Sequence, residues 1–389
     1  MGSVRVDGPA LNPIVVLGAT GSIGHQTLDV ADRLGRSVVA LVSGSLSDEI
    51  IDLADRYPEA SVAVAHTPER SVGAAVEQRI AFGPEAVSSL ARLPETTVVN
   101  GIVGAAGLEP SLAALESGNR LALANKESLL TGGSLVLSAL ESGGGELIPV
   151  DSEHSAISQC LEGESLAEIR RVILTASGGP FHSRPDVDLD SVSIADALAH
   201  PTWDMGKRIS IDSATLMNKA FEVIEAHFLF FLDYNQIDVV IHPGSFVHSL
   251  VEFVDGVVKA ELGPPDMRKP IQRALTWPER MPAPAKPIDL MGTALTFSAP
   301  DRERFPALDL GYEAGRRGEN GPAIINAADE VAVAAFLDRR IRFTDIVEVV
   351  ADALNAVPSA PISTLAAALA ADAHGRAAAA EAIARRASR

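Results

Sequence analysis

An α/β protein in three parts is predicted by three features of the chain. Short β-branched runs alternate with helix-spaced stretches over residues 1–150, strands separated by longer polar loops fill 151–277, and an Ala-rich stretch without strand pattern covers 305–389. The first part opens on Ile14-Val15-Val16-Leu17, which runs into Gly18 and then, from Ile23, into apolar positions at helical spacing through Leu28 and Ala31. Strand, glycine turn and helix in that order begin a Rossmann domain. Further buried strands are expected at 38–42, 61–65, 97–99, 120–123 and 147–150 with helical patterns between them, so the sheet should be parallel.

From Asp151 the texture changes to α+β. Arg171-Val172-Ile173-Leu174 and Val239-Val240-Ile241 read as strands, and 246–253 leads into a hairpin at Asp255-Gly256. Pro282, Pro284, Pro287 and Pro300, lying between Pro278 and Pro306, preclude regular helix and mark 278–304 as a linker. Beyond it, apolar positions recur with a period of 3.6, as in a small helical bundle that ends in a surface helix. The chain shows no internal repeat.

At 389 residues the chain exceeds one ordinary core, and with 47% hydrophobic and 21% charged residues it has ample apolar material to bury. A formal charge of −19 repels nucleic acid and anionic membrane, so an anionic ligand must be drawn by a local pocket. Cys160 is the only cysteine, which excludes an intrachain disulfide framework and fits a reducing compartment, the cytoplasm. Residues 1–12 hold no apolar run of signal-peptide length, and no later stretch is long enough to span a bilayer.

Six motifs carry chemistry. Gly18-Ala19-Thr20-Gly21-Ser22-Ile23-Gly24 has the spacing that lets backbone N–H groups and a helix N-terminus approach a pyrophosphate without interference from Cβ, and its place between strand and helix makes it a dinucleotide site. The second strand ends on Ser43-Gly44-Ser45, with no acid to hold a ribose 2′-hydroxyl, so NADP(H) is favoured over NAD. Asp151-Ser152-Glu153-His154 sets two carboxylates one residue apart at a strand edge, where they can converge on a hard cation. In a helix, Asn218 and Glu222 lie four apart and Lys219 and Glu222 three apart, so one face can present a metal ligand and a phosphate-binding cation. Taken alone, that cluster better suits a solvated ion-pair face. Thr175-Ala176-Ser177-Gly178-Gly179-Pro180 leaves N–H groups open to an anion, and 200–206, with His200, Trp203 and Gly206, has the makings of a mobile lid. His154, His242 and His248 read as structural hydrogen-bonding residues.

Together, segments 18–24, 123–128, 150–155, 175–180, 200–206 and 213–219 resemble the 1-deoxy-D-xylulose 5-phosphate reductoisomerase family over nearly the whole chain. The resemblance implies an NADPH-dependent and Mn²⁺- or Mg²⁺-dependent rearrangement and reduction of 1-deoxy-D-xylulose 5-phosphate to 2-C-methyl-D-erythritol 4-phosphate in the non-mevalonate isoprenoid pathway. It also implies a homodimer built from an NADPH-binding Rossmann domain (1–150), a catalytic and dimerising domain (151–277) and a C-terminal helical domain (305–389). By matched position, Asp151, Glu153 and Glu222 would hold the metal, and Ser177, Ser213, Asn218 and Lys219 would grip the phosphate. Ser152, Lys126, His200 and Trp203 would meet the sugar end or line the pocket. Gly18, Thr20, Gly21, Ser22, Ile23, Gly44, Ser45, Asn125, Glu127 and Gly206 would touch NADPH. Two departures stand out: Gly244 where glutamine is expected, and Ala220 where glycine is usual. The competing reading is an NADP-dependent semialdehyde or homoserine-type dehydrogenase, which needs no metal carboxylates beside a phosphate cluster.

Overall fold

The computed structural model describes residues 12–68, 79–203 and 205–387. Residues 1–11 and Asp204 of the expected lid lie outside these. In the first layer β1 (Ile14–Leu17), β2 (Val38–Ser43), β3 (Ser61–Val64), β4 (Ile80–Phe82), β5 (Thr97–Asn100), β6 (Arg120–Leu123) and β7 (Glu146–Pro149) form a seven-stranded sheet in the order β4-β3-β2-β1-β5-β6-β7. Every described pairing in it is parallel. Ile14, Val15, Val16 and Leu17 are all fully buried, as a strand covered by helices on both faces must be. The covering helices include α1 (Ser22–Leu34), α2 (Asp48–Arg56), α3 (Pro84–Ala91), α4 (Leu108–Glu116) and α5 (Glu127–Gly143). Strand order reverses between β1 and β5, and the crevice above that reversal is where an open sheet of this kind takes a ligand.

The turn above β1 is closely packed. A Cβ on Gly24 would sit 2.3 Å from the Gly18 carbonyl oxygen and 2.5 Å from that of Ala19, so the first turn of α1 rests directly on the chain leaving β1. Gly18 itself has φ +82°, and a Cβ there would meet the Gly101 carbonyl, after β5, at 2.7 Å. Gly24→Ala is therefore expected to destabilise the fold by about 1–3 kcal/mol, as overpacking does. A variant with unchanged melting temperature would contradict this packing.

The second layer follows α6 (Ser152–Cys160). Strands β8 (Ile169–Ala176), β9 (Ile237–Ile241), β10 (Val247–Phe253) and β11 (Val258–Leu262) form a mixed sheet ordered β11-β10-β8-β9, with Gly256 in the β10–β11 turn as the sequence suggests. The crossover between the parallel strands β8 and β9 carries α7 (Ile194–Leu198), α8 (Lys207–Thr215) and α9 (Met217–Phe230). Leu216, in the left-handed conformation at φ 62°, makes the sharp join that turns α9 back along α8. Helix α9 is shared by three surroundings. Val223, Ala226 and Phe230 pack on the mixed sheet, Met217, Phe221 and Ile224 pack with the C-terminal helices, and Asn218, Lys219 and Glu222 face a cavity.

Helix α10 (Arg268–Thr276) returns to the first layer, where Ile271, Ala274 and Leu275 join the core formed by β1, β2 and α1. The proline-rich stretch that follows lacks regular helix and lies partly against this layer: Arg33 donates to the Pro284 carbonyl at 3.1 Å, and Gln272 to that of Pro282 at 3.0 Å. Helices α11 (Ala307–Arg317), α12 (Gly321–Leu337), α13 (Asp345–Ala356) and α14 (Leu365–Ala387) complete the chain and bury the back of α9.

Candidate active site

Two helix starts bring the carboxylates together. The segment just past β7 is the beginning of α6: Asp151 occupies its N-cap position, and Glu153 projects from its first turn, where the helix dipole favours negative charge. Glu222 comes from the facing side of α9. One oxygen from each of Asp151, Glu153 and Glu222 lies within 4.8 Å of the others, a hard oxygen set that fits a divalent cation. Two lysines reach the same point. Lys126, at the start of α5, lies 2.9 Å from Asp151 and donates to Asn218 Oδ1 at 2.6 Å. Lys219 pairs with Glu153 at 2.9 Å and closely with Glu222. The ammonium expected at the phosphate thus rests among the carboxylates.

Burial and charge decide the protonation of this group. Burial, reinforced by the neighbouring Glu153 and Asp151 charges, pushes Glu222 up to about 8 despite Lys219 and Lys126. Burial also acts to raise Asp151, but the Lys126 ammonium, His154 and Lys219 outweigh it and hold the carboxyl below its ordinary range. Burial opposes the charge on Lys126, yet Asp151 and Glu222 keep it firmly protonated. Burial thus holds Glu222 largely in its neutral form near neutral pH, and a divalent cation, when bound, would favour its ionised form.

The phosphate segment sits at the end of β8. Gly178 and Gly179 are left-handed, at φ +83° and +66°, and a Cβ on Gly179 would meet the Ser213 carbonyl at 2.8 Å. This close approach sets the loop bearing Ser177 against the end of α8 bearing Ser213. His200 Nδ1 accepts from the Trp203 N–H at 3.0 Å, so the neutral ring carries its proton on Nε2 and donates it to Ser177 Oγ at 2.8 Å. Burial lowers the His200 pKa and maintains that neutral form. Ser177 Oγ also accepts from the Gly179 N–H, which leaves the hydroxyl proton for an anion. Trp203 is half-buried and tilts over His248, with ring centroids 6.2 Å apart.

A cavity of about 660 Å³ gathers most of the residues singled out in the sequence. Ser22, Ile23, Lys126, Asp151, Ser152, Glu153, Ser177, His200, Trp203, Gly206, Ser213, Asn218, Lys219 and Glu222 all line it. Gly18, Thr20, Gly21, Gly44 and Ser45 are outside the lining, in the turns that follow β1 and β2. Asn125 and Glu127 turn inward: Asn125 Nδ2 donates to Glu127 and to the Ile102 and Gly104 carbonyls, and Glu127 pairs with Arg208 at 2.9 Å. The lining also includes Pro265, Asp266, Met267 and Arg268 ahead of and within α10, to which the sequence reading gave no role. His154 and His242 meet main-chain partners, as structural histidines do, whereas His248, bonded to the Gly263 carbonyl, also lines the cavity.

Family models match three stretches: 1-deoxy-D-xylulose 5-phosphate reductoisomerase at 14–133, its C-terminal domain at 147–230, and a DXP reductoisomerase C-terminal domain at 262–378. A 1-deoxy-D-xylulose 5-phosphate reductoisomerase of a Synechococcus species is 49% identical over 346 residues, covering 86% of this chain and 88% of the relative. The chain belongs to the 1-deoxy-D-xylulose 5-phosphate reductoisomerase family. Another relative of that name, from Pseudomonas fluorescens, is 46% identical over 385 residues, covering 93% and 96%. Among solved structures, the reductoisomerase from Zymomonas mobilis in complex with NADPH aligns with a TM-score of 0.87 at 40% identity, covering 96% of this chain and 99% of that one. A DOX-P reductoisomerase in complex with NADPH, fosmidomycin and magnesium aligns with a TM-score of 0.87 at 38% identity, covering 96% and 98%. Both departures from the family pattern are accommodated locally. Ala220 is fully buried against Gly311, where a second Cβ would approach within 2.5 Å, and a Cβ on Gly244 would press on the Phe246 ring at 3.1 Å.

Proposed function

We infer that this protein is an NADPH- and divalent-metal-dependent oxidoreductase that rearranges and reduces 1-deoxy-D-xylulose 5-phosphate to 2-C-methyl-D-erythritol 4-phosphate. One observation carries this reading: three converging carboxylates, a serine and lysine cluster and the start of the Rossmann helix line a single cavity. A plain dehydrogenase has no use for the carboxylate triad.

Asp151, Glu153 and Glu222 would hold the metal, and when bound, Mg²⁺ or Mn²⁺ supplies Lewis acidity toward the sugar oxygens while NADPH supplies the hydride. The chain's own residues do the rest. Ser177, Ser213, Asn218 and Lys219 grip the phosphate, and that binding energy orients the reacting carbons remote from it. Lys126 and Ser152 lie beside the carboxylates where the sugar hydroxyls would sit, and Lys126 offers N–H donors. His200 holds Ser177 and the lid together through its two ring nitrogens. Trp203 excludes water as the loop closes.

Ser22 and Ile23, with the glycine turn before them, receive the cofactor, together with Gly18, Thr20, Gly21, Gly44, Ser45 and Gly206, while Asn125 and Glu127, turned inward, support that side from behind. Because Ser43-Gly44-Ser45 bears no acid to repel a 2′-phosphate, NADPH is expected to exceed NADH in kcat/KM by at least about tenfold. Equal efficiency with both nucleotides would contradict this assignment. The inferred function itself is tested by NADPH oxidation in the presence of 1-deoxy-D-xylulose 5-phosphate. Turnover should stop on chelation and return with Mn²⁺ or Mg²⁺, and turnover indifferent to chelator would overturn the reading.

The proposed units are 1–150 for the cofactor, 151–277 for catalysis and dimerisation, 278–304 as linker and 305–389 as helical support. A homodimer is supported by the free edge of β11 and the exposed Val254, Val257 and Val258 at its hairpin. A cytoplasmic address is supported by the lone buried Cys160. No helix of the described residues is long and apolar enough to cross a membrane.

A further inference from the structure

Arg208, the second residue of α8, does not line the cavity, yet it holds together the parts that do. Its guanidinium lies 2.9 Å from Glu127 and 2.9 Å from Glu330, donates to Asn326 Oδ1 at 2.8 Å, and approaches Asp329 at 3.4 Å and Asp212 at 3.5 Å. Glu127 starts α5 next to Lys126, Asp212 is one residue before Ser213, and Asn326, Asp329 and Glu330 belong to α12. A single fork of donors therefore joins the cofactor layer, the helix beneath the lid and the C-terminal helices. Arg376 of α14 backs this cluster by pairing with Glu330. Asp212 and Asp329 are buried, so such a grouping of charge has no value as solvated surface.

The position of α8 makes this linkage consequential. Gly206 caps its N-terminus at the cofactor side of the cavity, and Ser213, in its last turn, stands at the phosphate side. These ends are about 10–13 Å apart along a helix of this length. We propose that Arg208 is a positioning residue for the reductoisomerase reaction, setting α8 so that its two ends meet cofactor and sugar phosphate together. A local displacement of either end would affect one ligand. Loss of the Arg208 anchor moves the whole helix and affects both. The planar fork is essential to this role, because an ammonium cannot reach Glu127, Glu330 and Asn326 in fixed directions at once.

The proposal rests on the reductoisomerase reading, so turnover of 1-deoxy-D-xylulose 5-phosphate by the unaltered protein is the control; its absence would defeat that reading and leave no reaction for Arg208 to serve. Given turnover, Arg208→Lys is expected to raise KM for NADPH and for the sugar phosphate together, each by about tenfold, whereas Ser213→Ala should raise the sugar-phosphate KM alone. Glu330→Gln keeps size and removes one anchoring charge, and it should shift both KM values in the same direction by a smaller factor. It also decides the matter if Arg208→Lys does not fold. Folded variants with both KM values within twofold of the parent, whatever their melting temperatures, would overturn the proposal, as would a rise confined to one ligand.

Discussion

Asp151→Asn and Glu222→Gln are each expected to lower turnover by about two to three orders of magnitude while NADPH affinity stays within about twofold of the parent value. Each substitution replaces one of three carboxylates with a neutral amide, and the remaining pair holds a divalent cation poorly. The residues proposed to receive the cofactor, Ser22 and Ile23 of α1, line the same cavity but belong to a different element from the carboxylates, so cofactor binding should survive. The two variants should differ in stability. Asp151→Asn leaves the buried Lys126 without its 2.9 Å partner, whereas Glu222→Gln replaces a group already pushed up to about 8 and so costs less. Steady-state rates, Mn²⁺ binding and a thermal melt read together separate these effects. Near-normal rates in either variant at saturating Mn²⁺ would remove the metal assignment.

Trp203→Ala is the second large effect. The indole is half-buried, its main-chain N–H is bonded to His200, and its ring stands over His248 at the cavity mouth. A residue so placed contributes little to a core but dries the pocket when the loop closes. Turnover is expected to fall by about one to two orders of magnitude, with weaker sugar-phosphate binding and little change in melting temperature. A packing tryptophan would behave in the opposite way, since truncating one costs about 3–5 kcal/mol. A large fall in melting temperature with unchanged kinetics in the folded fraction would show Trp203 to be such a residue.

The parts of the fold visible in the sequence are those whose signal is local. Four buried apolar positions before Gly18, three of them β-branched, can be little else than a parallel strand, and the glycine spacing specifies the turn after it. Strand β4 was not visible, because it has three residues and only Ile80 is buried. Helix α6 is not legible in the sequence, since its first residues, Ser152, Glu153 and His154, are polar and its apolar stripe begins only at Ala156. Helix α10 starts on Arg268-Lys269-Pro270, which obscures the stripe of Ile271, Ala274 and Leu275 that returns it to the first layer. Its neighbours Asp266, Met267 and Arg268 therefore reach the cavity from a segment that seemed to belong elsewhere.

Site geometry divides along the same line. Asn218, Lys219 and Glu222 share one helical face by spacing alone, so their convergence was foreseeable. That Lys219 would lean toward Glu153, or that Arg208 would find partners at Asn326, Asp329 and Glu330, depends on packing between distant elements. No periodicity encodes such contacts. The inward turn of Asn125 and Glu127 is partly of the same kind, being set by Gly104 and Arg208 as well as by the local bonds among Asn125, Glu127 and Ser128.

We infer that one pocket performs both rearrangement and reduction. Turnover of 1-deoxy-D-xylulose 5-phosphate with NADPH deuterated at the transferable position, followed by product analysis, tests it most directly. The expected product has a branched carbon skeleton and a single deuterium at a primary alcohol carbon, in step with NADPH consumed, and is absent when the divalent metal is removed. Deuterium in an unbranched sugar phosphate, formed with or without metal, would show reduction without rearrangement and would contradict the account.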